Sequence, residues 1–555
     1  MVNRGRSGGC LTCKERRVKC DEARPKCRPC QRLGIPCAGY KTRYANIRFK
    51  DQSHKFYSRA DGECIQKPDW LPVLRPLAQP DTAVPFYLRH YAGMGREMGS
   101  ARGFFEVLIP IYASQRPSSA LSLAVSALAS EIMSLWRHES FQSSRETYTQ
   151  AIRCLRSTIQ DVNEWGKPET ALAVLSLQLY ESVAAIYGLR SATRIHHDGA
   201  LSLLPFADPD YRNGITNAYI RRFIVHTEVC SAMRQKRLLQ SGADAWIRGN
   251  GAMPAPDNPS CALDAIGASV ANLQASYTQL ETPVGSISSS QRDLGELIVE
   301  AKLLDEQLLA WARDVPDHWQ PLQLSGQDID PSIPTYRSVC EVYSCCQIAA
   351  IWNLWRIQRL LLIKIILGSI QMISHSRSSR LTEDVVSTND ETIVDLGHTF
   401  QELVDSLCHS VPFYMGNRTN PSNMADFTDP EILFPSDCYR HRDSNPHSIN
   451  KLGSSGDEQK QSIIAQGPWH VMSPLSHILT LVSEDRSQLL ATFLRYGQRE
   501  WIREQFLRVT RLLRIPSKSV QEPYLRGLSA QRSADTGFED LVKGVRKGAI
   551  FMSGP

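Results

Sequence analysis

The stretch Cys10–Cys37 reads CLTCKERRVKCDEARPKCRPCQRLGIPC and decides how the rest of the chain is understood. Its cysteines, Cys10, Cys13, Cys20, Cys27, Cys30 and Cys37, form two halves of the same spacing, C-x2-C-x6-C, separated by six residues. A C-x2-C pair brings two thiolates within reach of one metal ion, half of a tetrahedral sulfur site. Six thiolates cannot fill two separate four-ligand sites. They suffice when two sulfurs each bridge both metals, so the doubled spacing points to a cluster of two Zn²⁺ per chain. A closed, all-sulfur site leaves no position for a substrate, so this zinc folds the segment and does not catalyse. Leu11, Val18, Leu33 and Ile35 are the only large apolar side chains available for a core. Metal binding must then supply the folding free energy, on the order of 10 kcal/mol or more. Cysteines without metal would leave the symmetric spacing and its interleaved basic residues unexplained.

Charge separates this stretch from the remainder. Residues 1–59 carry 16 Lys/Arg against four acids, a net +12, which leaves −6 for the rest of a chain whose total is +6. A basic head on a mildly acidic body fits a polyanion-binding tip on a platform that is not itself a nucleic-acid surface. Within the head, Lys14-Glu15-Arg16-Arg17-Val18-Lys19 is predicted as one short cationic helix and Pro29–Leu33 as a second, with Asp21–Lys26 joining the halves. A metal knot carrying a basic helix is the pattern of a nucleic-acid reader.

The other nine of the 15 cysteines are scattered, and Cys340, Cys345 and Cys346 lie in apolar helical context, where a free thiol acts as a small hydrophobe. The N-terminal MVNRGRSGGC has no apolar signal core. No run reaches the ~18 apolar residues of a membrane span; the richest, Leu360–Leu367, is broken by Lys364. These features predict a reducing intracellular compartment, no membrane partner, and zinc in preference to disulfides.

The predicted fold class is mainly α: a small two-zinc cysteine-cluster domain followed by a large all-helical domain. Residues 1–9 are expected to be a disordered N-terminus, 10–37 the cluster, 38–83 a basic and then Pro-rich linker, 84–515 the helical domain, and 516–555 a loosely ordered tail. The linker shows no apolar heptad, so a coiled-coil zipper directly after the cluster is unsupported. In the body, Leu121, Val125, Leu128, Ile132 and Leu135 trace one helical stripe, and Leu172, Leu175, Leu179, Val183 and Ile186 another. Further helices are expected over about 141–161, 191–204, 214–238, 260–280, 289–314, 336–371, 389–411 and 485–514. The 336–371 segment, apolar on all sides, is expected at the centre. Ser374–Asn389 is a polar interruption. The polar stretch 416–461 reads as a surface insertion in preference to an activation segment.

The motif Cys13-Lys14-Glu15-Arg16-Arg17-Val18-Lys19-Cys20-Asp21, followed by Pro25-Lys26-Cys27, resembles the fungal zinc binuclear-cluster DNA-binding domain. The resemblance implies that Cys10 and Cys27 bridge both zincs, with Cys13 and Cys20 completing one site and Cys30 and Cys37 the other. It also implies that the first helix enters the major groove at a CGG-type triplet, where Arg16 and above all Arg17 approach base edges. An Arg guanidinium can bond both O6 and N7 of guanine. Lys14, Lys19, Lys26 and Arg28, with Arg24 and Arg32, are then expected on phosphate, which positions without reading sequence. Further along, His196-His197-Asp198-Gly199-Ala200-Leu201-Ser202-Leu203-Leu204 resembles a signature of the fungal transcription-factor regulatory domain. His196 and His197 read as packing or surface histidines, since no zincin motif surrounds them.

Signals for catalysis are thin. Gly93, Gly95 and Gly99 have the wrong spacing for a dinucleotide loop, and P-loop, G-x-S-x-G and H-E-x-x-H motifs are missing. The leading expectation is a zinc-dependent, sequence-specific transcription factor of the RNA polymerase II type, located in the nucleus. It would regulate metabolic or secondary-metabolite genes and is not an enzyme. A homodimer partner, coregulators and a small-molecule effector are compatible with it. Two alternatives compete: a helical metabolite-binding protein or enzyme that carries the cluster as an anchor, and a cytosolic zinc or redox sensor.

Overall fold

The computed structural model describes residues 10–21, 23, 26–38, 82–93, 104–138, 142–206, 214–248, 258–281, 294–377, 383–437, 456–516 and 528–549. The expected N-terminus 1–9, nearly all of the 38–83 linker, Arg24 and Pro25 lie outside these residues. The chain divides into two compact units, residues 1–50 and 51–555.

The first unit contains two short helices, α1 (Leu11–Glu15) and α2 (Arg28–Arg32), packed on a sulfur core. The expectation of a helix over Lys14–Lys19 is corrected: α1 begins three residues earlier and stops at Glu15. Among the described residues the second unit's regular structure is helical apart from one pair of strands, so the mainly-α fold class holds. Local chemistry explains its elements. Ser119 caps the Ala120–Arg137 helix by accepting from the Ser122 backbone N–H at 3.2 Å, and His138, left-handed at φ 61°, closes it. Leu121, Val125, Leu128 and Ile132 of the predicted stripe are buried. Pro168 opens the Pro168–Tyr187 helix at its first position, where no intrahelical N–H is needed.

At the centre runs the 32-residue Cys346–Arg377 helix, packed on the Pro259–Glu281, Leu294–Asp314, Glu383–Met415 and Gly456–Ser483 helices. It starts later than expected. Residues 339–342 form β2, paired antiparallel with β1 (Leu322–Ser325) in the register Leu322↔Val342 and Ser325↔Val339. The hairpin delivers Glu341 to the interior, where its carboxylate binds Arg356 Nη2 at 2.6 Å. Tyr343 and Ser406 also donate to that carboxylate, and Asn353 accepts from Arg356. Such a network is tolerated in a core because each polar group has a partner.

Among the described residues two helices, Pro168–Tyr187 and Cys346–His375, are long and apolar enough by composition to cross a membrane, contrary to the expectation that no run reaches that length. Their apolar windows are 89% and 67% buried inside the helical unit, as core helices are.

Two further expectations change. In the polar insertion 416–461, residues 416–437 are packed, with Arg418 bonded to Asp426 and Ser422 at 2.7 Å each. Its last residues begin the Gly456–Ser483 helix, which sequence reading missed; 438–455 lie outside the described residues. The 516–555 tail holds a helix, Leu528–Gly548, whose Phe538, Leu541, Val542 and Val545 are buried. A Cβ on Gly548 would lie 2.7 Å from the Ile186 backbone nitrogen, so this helix touches the Pro168–Tyr187 helix directly.

Candidate metal centre and nucleic-acid interface

The two halves of the cluster are built alike, each residue of the second lying 17 positions after its counterpart. Cys10 and Cys27 are the N-caps of α1 and α2, and the Cys10 Sγ accepts from the Cys13 backbone N–H at 3.3 Å. Each helix ends in the same C-terminal motif. Val18 N–H returns to the Cys13 carbonyl and Arg17 N–H to Lys14; Ile35 N–H returns to Cys30 and Gly34 N–H to Gln31. This closure requires a left-handed residue, Gly34 at φ 63° in one half and Arg17 at φ 54° in the other. Glycine adopts that conformation freely, whereas an L-residue is strained there by about 1–2 kcal/mol. The turn sends the chain back, so that the Cys20 Sγ accepts from the Cys10 N–H at 3.4 Å. Thr12 ties the halves together, donating to the Pro36 carbonyl and accepting from Ala38 N–H. Asp21 accepts from Arg28 N–H at the start of α2.

The six sulfurs fall into two groups of four, Cys10/Cys13/Cys20/Cys27 and Cys10/Cys27/Cys30/Cys37, within 4.8 Å of one another in each group. Cys10 and Cys27 belong to both. A tetrahedron with metal–sulfur bonds of about 2.3 Å has edges of about 3.8 Å. The sulfur pairs Cys10–Cys27, Cys13–Cys27 and Cys10–Cys30 stand 3.6, 3.7 and 3.9 Å apart. The donor set and its spacing therefore fit two zinc ions. Burial pushes the Cys10 and Cys27 thiols up, and burial with the neighbouring Cys10 sulfur pushes Cys13 up to about 12. Zinc must displace these protons to bind thiolates, so metal loading and folding are coupled.

Lys14, Arg16, Arg17, Lys19, Lys26 and Arg28 are all exposed on this unit, as is Arg32. Arg16 and Arg17 stand in the turn that ends α1, not within the helix, and Lys19 follows in extended chain.

Residues 8–46 match the Fungal Zn(2)-Cys(6) binuclear cluster domain. Over 37 residues the chain is 65% identical to the aspercryptin biosynthesis cluster-specific transcription regulator of Emericella nidulans, a span covering 6% of each protein. A Zn(2)-C6 fungal-type transcription factor of Aspergillus fumigatus is 57% identical over 37 residues, 7% of this chain and 10% of that protein. Pestheic acid cluster transcriptional regulator 3 of Pestalotiopsis fici is 58% identical over 41 residues, 7% of each. The match thus spans a tenth or less of these relatives. No solved structure matches the chain. The chain carries a Zn(2)-Cys(6) cluster that binds two zinc ions, and its cysteine segment is similar to those of DNA-binding transcription regulators.

In the body, His196 and His197 are buried beside carboxylates. His197 Nε2 lies 2.7 Å from Glu228 Oε2, and His196 Nε2 lies 3.3 Å from Glu181. Arg237 and the Gln240 N–H converge on the same Glu228. The pair thus serves packing of the Ile195–Leu203 helix on its neighbours.

Proposed function

We propose that this protein is a zinc-dependent, sequence-specific DNA-binding transcription factor of the nucleus, acting on genes of metabolism and in particular of secondary-metabolite biosynthesis. In this reading Cys10 and Cys27 bridge the two metals, Cys13 and Cys20 complete one, and Cys30 and Cys37 the other. Zinc supplies the fold and no reaction step. Arg17, with Arg16, approaches guanine in a CGG-like triplet, while Lys14, Lys19, Lys26 and Arg28 neutralise phosphates. The observation that most supports the reading is the coincidence, on one short segment, of two four-sulfur groups sharing Cys10 and Cys27 with seven exposed basic side chains. Arg17 adds its own argument: its backbone conformation is one that the sister half assigns to glycine. An arginine retained against that strain implies work for its side chain outside the fold.

The division into a 10–37 reader, a 38–83 linker and a regulatory domain from residue 84, extended past 515 by the docked Leu528–Gly548 helix, belongs to the same proposal. So do the absence of catalysis and the body's role as receiver of coregulators, of a second copy or of a small effector. Two relatives are named as regulators of biosynthetic clusters, which favours that gene class. Sequencing of chromatin fragments bound by the tagged protein in its own cells tests the reading. Occupied sites sharing a G·C-rich triplet upstream of metabolic genes are expected; scattered occupancy without a shared sequence overturns it.

A further inference from the structure

Within the helical unit, the Gly214–Gln235 helix places His226, Cys230 and Arg234 one turn apart on one face. Asp264, on the Pro259–Glu281 helix, accepts from His226 Nδ1 at 2.6 Å. With the proton fixed on Nδ1 by that carboxylate, the neutral ring leaves Nε2 as an acceptor. Nε2 faces the Cys230 sulfur at 3.8 Å. A nucleophile, a base and a group that orients the base therefore stand in line, the arrangement that activates a thiol.

The thiol opens on a cavity of about 50 Å³ lined also by Arg234, Asn353, Ser473, His470 and His477. His477, buried, has an Nε2 with no hydrogen-bond partner among the described residues. A wall of this kind suits a small polar guest. The volume excludes a drug-sized ligand, which needs several hundred Å³, and admits a molecule a few atoms long.

Most of the remaining charges agree. Burial by itself raises a thiol, as it does at the equally enclosed Cys408. At Cys230 burial and the nearby Asp264 carboxylate, which both raise the thiol, are outweighed by the charge and hydrogen bond of His226 and by Arg234, and the thiol is lowered instead. Around His477 on the Gly456–Ser483 helix stand the cations Arg546, Arg234, Lys364 and Lys236, with Glu484 among them. The field in this interior favours an anion such as a thiolate.

We infer that Cys230 is a peroxide-reactive cysteine, a redox modification site in the helical unit served by His226 and Asp264. The thiol passes its proton to His226 Nε2. The thiolate attacks one oxygen of hydrogen peroxide, forming an S–O bond as the O–O bond breaks. The departing hydroxide takes the proton from the His226 imidazolium and leaves as water. Sulfur is oxidised by two electrons to the sulfenic acid and the peroxide is reduced. This site is independent of the DNA-reading proposal, since every residue in it lies in the helical unit.

The test uses the zinc-loaded full-length chain, dilute hydrogen peroxide and a cyclic 1,3-diketone that traps sulfenic acids, read cysteine by cysteine from peptide masses. Cys154 and Cys261, each more exposed than Cys230, are internal controls. Cys230 is expected to be trapped first, with the label lost in Cys230→Ser. His226→Gln is expected to slow it about a hundredfold, the scale of a lost general base, with Cys154 unchanged. A second reading needs no variant: the Cys230 rate stays level as pH falls below about 8.5, where an unperturbed thiol loses thiolate. Earlier trapping of Cys154 and Cys261, or a Cys230 rate that falls as pH drops below about 8.5, overturns the inference.

Discussion

Replacing Arg17 with glycine separates what that residue does for the fold from what it does for DNA. Its φ of 54° closes α1, and the sister position is Gly34 at 63°. Glycine at this position relieves about 1–2 kcal/mol of left-handed strain, less about 0.5–1 kcal/mol for the greater freedom of glycine in the unfolded chain. The net gain of up to about 1.5 kcal/mol appears, through coupled folding and metal binding, as up to about a twelvefold tighter grip on zinc in competition with a chelator. The same change deletes a guanidinium that can bond guanine at two points, worth about 1–3 kcal/mol, or roughly 5- to 150-fold in affinity for the cognate site. Arg17→Ala loses the contact and keeps the strain, so its zinc retention stays at the wild-type level. Fluorescence anisotropy of the full chain on a cognate site and on its single-base variants, at one fixed salt concentration, reads the DNA side. The expected pattern is equal or better zinc retention in Arg17→Gly, weaker cognate binding in both variants, and lost discrimination at one G·C pair. Unchanged affinity and base preference in both variants would refute the assignment.

Three further outcomes follow from the geometry. Because Cys10 and Cys27 belong to both sulfur groups, Cys27→Ser should release both zincs, whereas Cys20→Ser should leave one; equal stoichiometry in the two variants, by native mass spectrometry, contradicts the sharing. At Glu228 burial favours the protonated form, but hydrogen bonds from Arg237, His197 and the Gln240 N–H outweigh it and hold the carboxyl at about 2. With its folded value below its unfolded one, Glu228 stabilises the body fully above about pH 4.5, and that contribution, about 3 kcal/mol, is lost as pH falls toward 2. Burial lowers His197 too, a change of the same sign that begins near pH 6.5. Urea unfolding from pH 6 to pH 3 should therefore show wild type losing more stability than Glu228→Gln, and a pH-independent gap between them counts against the network. In the C-terminal Leu528–Gly548 helix, Leu541→Ala should lower stability by about 2–5 kcal/mol, while the exposed Lys543→Ala should change it by less than about 0.5 kcal/mol. Equally small effects on thermal unfolding would mean the helix is not docked.

The metal centre was legible in the sequence because its information is local: ligand spacing at Cys10–Cys37 is a property of neighbours along the chain. So were helices with one clean stripe, such as Ala120–Arg137. What escaped depends on partners distant in sequence or on two local rules in conflict. The Gly456–Ser483 helix contains Pro468 and Pro474, which argue against a helix, and packing on the central helices overrides them. Residues 339–342 run apolar into a long apolar helix, so periodicity could not divide strand from helix. In α1 the cationic run suggested helix through Lys19, yet bringing Cys20 back to Cys10 requires the turn at Arg17. Asp264 is 38 residues from His226, and nothing in either neighbourhood announces the other.

The central claim is that a zinc-held basic head reads DNA sequence, and selection of bound sites from random duplexes by the full-length protein tests it most directly. The account predicts one recurrent G·C-rich triplet that disappears when a chelator removes the zinc and loses one specified base pair in Arg17→Ala. Recovery of no shared sequence, or of the same sequence from the chelated protein, would contradict it.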